Sequence, residues 1–243
     1  MELVVSNIAG HYRTVHERRR SRHSVADRIS PSRGLYDYLH LKTLERSIRD
    51  LIGRCPNGNG SRALDLGASK SPYRNLLEAR GYDVKTLDID RQHGSDYEGL
   101  AEKTGLASES FELILCTQVM EHCYNPWQAI REIQRILKPC GRLIISAPHV
   151  WFYHPHPTDH WRFTQEGILH LCDMGGLRPE AIVSQGGSAL AFIQIVNFLG
   201  YGLFGRAGLP LFFLNNCLGM TIDKIVSDTT FSLNFACLAT KAG

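Results

Sequence analysis

A chain of 243 residues that is 43% hydrophobic and 21% charged has the composition of one large folded domain with appendages, which excludes whole-chain disorder, collagen and coiled coil. The 27 basic against 24 acidic residues leave a net charge of +3, too small an excess to argue for a nucleic-acid partner without a concentrated patch. The seven cysteines form no Cys-x-x-Cys pair, so neither a disulfide framework nor a zinc knuckle is indicated, and Met1-Glu2-Leu3-Val4-Val5-Ser6 lacks the pattern of a secretory signal. A reducing, cytoplasmic setting is expected.

In chain order, His16 to Arg28 is dense in arginine (Arg18, Arg19, Arg20, Arg22, Arg28) and ends near Pro31. A solvated helix or frayed arm is the plain reading, and contact with an anionic ligand or membrane surface the sharper one. From Leu35 to Ile52, the residues Leu39, Leu41, Leu44, Ile48, Leu51 and Ile52 recur near helical spacing until Pro56-Asn57-Gly58-Asn59-Gly60 stops the pattern. Residues 1–60 therefore read as an N-terminal helical arm.

Beyond that turn, short apolar runs alternate with helical segments. Ala63-Leu64-Asp65-Leu66 reads as a strand, Tyr73 to Arg80 as a helix closed by Gly81, Val84 to Leu87 as a second strand and Phe111 to Cys116 as a third. Asn125, Pro126 and Gln128 have the spacing of an N-cap, a first-turn proline and the N3 partner of a capping box, and Ile130, Ile133 and Leu137 form the stripe of the helix they start. Lys138-Pro139-Cys140-Gly141 is expected to end that helix before a strand from Arg142 to Ser146. Such alternation predicts an α/β fold whose parallel sheet is covered on both faces.

After Pro148 come a loop rich in histidine and aromatics, a helix from about Thr164 to Met174, a strand at Ala181 to Ser184 and a last strand in Ser232 to Thr240. The apolar run from Ala189 to Ile222 approaches the length of a membrane span, but Gln194, Asn197, Gly200, Gly202, Gly205 and Arg206 interrupt it. A packed helical lid is the leading reading, an interfacial membrane-touching element the next, and a true span the last.

The sharpest chemical feature is Leu64-Asp65-Leu66-Gly67-Ala68-Ser69-Lys70-Ser71, a strand running into a small-residue turn that lets a ligand approach the backbone. Asp88 closes the next strand about 20 residues later, where a ribose-binding carboxylate belongs. A dinucleotide fingerprint would place glycines where Ser69 and Pro72 stand, so NAD is disfavoured.

At these residues the chain resembles the class I S-adenosylmethionine-dependent methyltransferases, in particular the branch of type 11 methyltransferase domains. The likeness runs from Ala63 to Pro148 and more loosely to the C-terminus. It is carried by the glycine turn, Ser110-Phe111-Glu112, Gln118-Val119-Met120-Glu121-His122 and Arg135-Ile136-Leu137-Lys138-Pro139-Cys140-Gly141. Where the family commonly has two further glycines, this chain has Ser69 and Ser71. The resemblance implies a doubly wound, mostly parallel, seven-stranded Rossmann-like sheet, with a core at 61–184 and 230–243 and a helical lid at 185–229. It also implies S-adenosylmethionine as cofactor and S-adenosylhomocysteine as product. Asp65, Gly67, Ala68 and Ser69 would line the methionine end, Asp88 and Ile89 would hold ribose and adenine, Gln118 would sit near the sulfonium, and Glu102 would bond the adenine amino group.

The loop from His149 to Thr164 resembles a pattern in bacterial members of this branch through His154, Pro157, Asp159, Trp161, Arg162, Phe163 and Thr164, with His156 and His160 extra. His154, His122 and Asp159 are the candidate catalytic residues, with His154 as general base and Asp159 paired to Arg162. No metal is expected, because prolines separate the donors along the loop. The expected reaction is O-methylation of a small-molecule or carbohydrate-like acceptor, with N- and C-methylation open. Cys116-Thr117-Gln118-Val119 is not the Asn/Asp-Pro-Pro-aromatic run of a base-methylating enzyme. The rivals are an RNA-binding methyltransferase using the arginine-rich arm and a non-catalytic module with an altered turn. The expected partner is a small acceptor rather than nucleic acid, with peripheral membrane contact through 189–222 as an open variant and the oligomeric state unassigned.

Overall fold

The computed structural model describes residues 24–155, 157–226 and 228–243. Seven strands form one sheet: β1 (Arg62–Leu66), β2 (Asp83–Asp88), β3 (Tyr97–Glu98), β4 (Phe111–Thr117), β5 (Leu137–Pro148), β6 (Leu177–Ser184) and β7 (Asn234–Lys241), in the order β3-β2-β1-β4-β5-β7-β6. The first five pair in parallel, and β7 lies antiparallel between β5 and β6. Strand order reverses between β1 and β4, which opens a crevice at their carboxyl ends, the usual ligand position in an open α/β sheet.

The helices are α1 (Val25–Ile29), α2 (Tyr38–Arg54), α3 (Arg74–Glu78), α4 (Pro126–Ile136), α5 (Gln165–Met174), α6 (Ser188–Phe204) and α7 (Leu209–Ile222), with a 3-10 turn at Gly205–Gly208. Alternation along the strands feeds two cores. Ile144, Ala236 and Leu238 meet Leu44, Ile48 and Leu51 of α2 on one face. Leu143, Ile145 and Cys237 meet Ile130 and Ile133 of α4 and Ile168 of α5 on the other. Each such side chain contributes about 1.5–3 kcal/mol on burial.

Several expectations need correction. The helix at Tyr38–Arg54 is part of the sheet's covering layer, so the expected arm at 1–60 divides. Arg18, Arg19, Arg20 and Arg22 lie outside the described residues, and Arg28 sits in α1. The capping box is half formed. Asn125 Oδ1 accepts from Gln128 N at 3.0 Å, but the Gln128 side chain donates to the Glu102 carbonyl at 3.2 Å, and Asn125 N faces Glu102 Oε1 at 3.4 Å. The helix start is thereby tied to the turn that carries Glu102. The helix ends at Ile136, just before Lys138-Pro139-Cys140-Gly141, but the strand expected from Arg142 already starts at Leu137, and this run is its irregular beginning, where the register against β4 shifts between Phe111 and Leu113. Strand β3 has two residues and no apolar run to announce it. Strand β6 starts at Leu177 and admits Pro179 because it is an edge strand with a bulge there.

The apolar run from Ala189 to Ile222 folds back on itself. Gly205, at φ 51°, breaks the helix, and α6 and α7 pair antiparallel through Asn197 with Asn216 and Gly200 with Phe212.

Candidate active site

A cavity of about 700 Å³ lies at the carboxyl ends of β1, β2 and β4. Its wall includes all the expected cofactor residues (Asp65, Gly67, Ala68, Ser69, Asp88, Ile89, Glu102 and Gln118) and two of the three expected catalytic ones, His122 and His154.

The turn after β1 is shaped by backbone demands. Gly67, Ser69 and Ser71 all have positive φ, at 72°, 47° and 45°. A side chain at Gly67 would also place Cβ 2.3 Å from Val119 Cγ2, so only glycine fits. Ser69 and Ser71 adopt the left-handed conformation that glycine takes freely, so the turn keeps its shape without the two further glycines. Gly67 and Ala68 donate to the Leu87 carbonyl at 2.8 and 3.1 Å, which locks the turn to β2.

Asp88 accepts from Ser69 N through one oxygen and from its own neighbour Ile89 N, at 2.7 Å, through the other. Its carboxylate is thus held at the cavity wall with lone pairs left for a diol. Ile89 is 48% exposed there, an apolar platform for a flat ring. Asp65 is 2% exposed, and burial pushes its pKa up to about 6 although the Ser71 hydroxyl donates to it at 2.7 Å. Gln118 also has positive φ, 55°, and its amide reaches Ser146 Oγ at 3.3 Å, which turns the chain over the end of β4. This donor set fits a nucleoside with an amino-acid tail: a carboxylate for ribose, an apolar shelf for adenine, and a tight turn for the rest.

The other end of the cavity is built by long-range contacts. The loop after β5 is zipped onto the turn after β4: His160 N donates to the Glu121 carbonyl at 2.8 Å, Thr158 Oγ1 to the His122 carbonyl at 2.9 Å and Trp161 Nε1 to the Cys123 carbonyl at 2.9 Å. Both imidazoles are oriented by loop carbonyls. His122 Nδ1 meets Thr158 O, and His154 Nδ1 lies 2.9 Å from Phe152 O. Their Nε2 atoms face the Glu121 carboxylate at 3.7 and 3.8 Å. Glu121 is fully buried, and neither of its oxygens has a hydrogen-bond partner. Burial works against a charge on His154, but Glu121, the Phe152 carbonyl and Asp159 outweigh it and raise its pKa above the ordinary value.

Asp159 does not line the cavity. Its side chain is 1% exposed, accepts from His154 N at 2.8 Å, approaches His154 Nδ1 at 3.2 Å and takes both guanidinium nitrogens of Arg162. It therefore positions His154 instead of reaching a reactant, and its own pKa is lowered, since Arg162 and His154 overcome the cost of burial. Glu121 is the residue that sequence reasoning missed. It sat inside the quoted Gln118 to His122 run, and only the returning loop reveals that it faces two imidazoles. Glu121, His122 and His154 offer ligand atoms within 4.8 Å of one another, so a divalent cation could also be held there. His156 lies outside the described residues.

Beyond the histidines the wall is aromatic. Phe152 stacks on Phe198 of α6 at 3.6 Å, His40 on Trp151 at 4.2 Å, and Tyr36 completes that side. The lid expected at 185–229 thus contributes Phe198 to the cavity.

The methyltransferase domain family matches residues 39–175, more than half of the chain. Ubiquinone biosynthesis O-methyltransferase from Actinobacillus pleuropneumoniae is 27% identical over 166 residues, 53% of this chain and 71% of that protein. Malonyl-acyl-carrier-protein O-methyltransferase from Methylococcus capsulatus is 35% identical over 102 residues, 36% of this chain and 37% of that protein. The chain spans less than half the length of several curated relatives it matches. Among solved structures, an S-adenosylmethionine-dependent methyltransferase from Mesorhizobium loti superposes with a TM-score of 0.53 over 86% of this chain and 99% of that one, at 15% identity, a likeness of fold alone. The chain belongs to the methyltransferase domain family, with the class I S-adenosylmethionine-dependent methyltransferase fold.

Proposed function

We propose that this protein transfers a methyl group from S-adenosylmethionine to a hydroxyl oxygen of a small acceptor with a flat, apolar body. The observation that carries this reading is the meeting, in one cavity, of the nucleoside turn with His122 and His154, both backed by the buried Glu121 carboxylate. When bound, S-adenosylmethionine supplies a methyl group on a sulfonium, open to in-line attack. Asp88 fixes the ribose, Ile89 backs the adenine, Glu102 caps it, and Asp65 with the turn at 67–69 holds the amino-acid tail. Gln118 marks the border between the two ends. On the acceptor side, His154 Nε2 takes the hydroxyl proton, Glu121 stabilises the imidazolium that results, and Asp159 holds the ring in place. The aromatic wall of Tyr36, Trp151, Phe152 and Phe198 aligns a flat acceptor and excludes water. Two curated relatives bear the name O-methyltransferase, which agrees with an oxygen acceptor. Five buried free thiols suit a cytoplasmic setting.

Thermal unfolding tests the cofactor half. S-adenosylhomocysteine should raise the melting temperature, by about 2.7 kcal/mol of stability at a hundredfold excess over its dissociation constant, and NADH should not. A panel of phenols and sugars offered with labelled methyl donor tests the acceptor half, and label on sugars alone would refute the flat-acceptor reading.

A further inference from the structure

The hairpin of α6 and α7 is amphipathic the wrong way round for a surface element in water. Its polar residues are inside. Gln194 is fully buried, accepts from His40 N at 3.2 Å and donates to the Tyr36 carbonyl at 2.9 Å. Asn216 is fully buried, accepts from Asn197 at 2.8 Å and donates to the carbonyls of Arg33 and Leu35 at 2.7 and 2.8 Å. The residues that interrupt the apolar run are thus the ones that fasten it to the protein. Leu190, Phe198 and Phe212 pack inward, but a second set of apolar residues faces out: Phe192, Val196, Leu199 and Leu203 at helical spacing along α6, and Leu211, Leu214 and Leu218 along α7. Half of the large apolar side chains exposed among the described residues lie on these two helices, and at the tip Leu203 is 79% and Phe204 54% exposed. So large an apolar face marks an interaction surface.

Charge decides what covers it. From Ser188 to Ile222 the one charged side chain is Arg206, in the turn at the tip. The nearest acids, Asp223 and Asp228, sit at the base, where they accept from Gly187 N and Ser188 Oγ, both at 2.6 Å. Exposed Arg33 lies along α7 beside Cys217, and its neighbour Gly34 adjoins Leu209 near the tip. In sequence, Arg18, Arg19, Arg20 and Arg22 precede this stretch. A second copy of the hairpin would offer Arg206 no acid to meet, whereas an anionic bilayer supplies both an apolar phase and negative charge.

We propose that the outer face of the α6–α7 hairpin, tip first, docks on an anionic lipid bilayer, on which the protein lies without crossing it. Crossing is opposed by length: 17 residues of α6 and 14 of α7 rise about 26 and 21 Å, short of the roughly 30 Å apolar core. The inner side is also committed to the protein through Gln194 and Asn216.

The test is flotation of the full chain with phosphatidylcholine vesicles, with and without phosphatidylglycerol. Binding to phosphatidylglycerol vesicles that weakens with salt is expected, and the double variant Leu203→Asp, Phe204→Asp should bind at least about tenfold more weakly. Both residues are solvent-exposed, so the variant should keep the thermal shift given by S-adenosylhomocysteine. Alkaline carbonate should release the wild-type protein from the vesicles. Failure of the wild type to float, or equal flotation of the variant, would overturn the proposal. So would carbonate resistance, which means a span, or a dimer that the variant dissociates without any vesicle binding. Absence of turnover would count against methyl transfer and leave this docking untouched.

Discussion

The two ends of the cavity are built on different physical terms. At the cofactor end, position is set by backbone: three left-handed residues in a short turn, the contact of Gly67 with Val119, and one carboxylate pinned by two N–H groups. At the acceptor end, position is set by side chains from two remote loops, with a buried carboxylate between two imidazoles. Changes at the first end should therefore move binding and folding, and changes at the second should move turnover and its pH dependence.

The largest expected effect is at the acceptor end. His154→Ala should lower turnover by about 10² to 10⁴, as loss of a general base does, and leave S-adenosylhomocysteine binding unchanged. Because Glu121 and Asp159 raise the His154 pKa, the rate should climb with pH through a value above the usual imidazole range. Glu121→Gln should move that climb to lower pH. A chelator should change nothing, and chelator-sensitive turnover would hand the cluster to a metal ion.

Next comes Gly67→Ala, which meets both the backbone penalty of a left-handed residue and the overlap with Val119. Together these cost about 2–5 kcal/mol, measurable by chemical denaturation. A variant as stable as the wild type would show that the turn can shift.

Asp65 sets a pH dependence of opposite sense to the usual carboxylate. Its pKa rises from 3.8 to about 6 on folding, so its contribution is favourable while protonated, fully present below 3.8, and lost as pH climbs through about 6. At neutral pH the buried charge costs about 3 kcal/mol. Asp65→Asn should therefore be more stable than the wild type at pH 7, with the gap closing toward pH 4, as denaturation across that range would show.

The smallest effect is Ser69→Gly, which should add about 1 kcal/mol by relieving a left-handed serine, read as a rise in melting temperature.

The same contrast explains what was legible in the sequence. Strand β1, its turn and Asp88 are a contiguous unit whose residue types answer local backbone needs, so Asp65, Gly67, Ser69 and Asp88 stood out together. Nothing local in Gln118 to His122 says that Glu121 will be buried, because the burial comes from a loop that returns from about 40 residues away to bond its carbonyl. The pairing of Asp159 with Arg162 could be read from their nearness in sequence, while the place of Asp159 behind His154, off the cavity wall, is a tertiary fact. In the hairpin, the polar residues looked like interruptions of a span, and only packing shows that they form the fastened side. The helix at Tyr38–Arg54 looked like an arm because its partners, among them Ile144 and Leu238, lie far along the chain.

The division between the two ends is tested most directly by titrating S-adenosylhomocysteine into Asp88→Ala. The ribose hydroxyls would lose a charged acceptor worth about 1.5–3 kcal/mol, so the dissociation constant should rise roughly tenfold to a hundredfold, while turnover at saturating methyl donor stays near that of the wild type. An unchanged dissociation constant, or a collapse of turnover at saturation, would contradict the assignment of this carboxylate to cofactor binding alone.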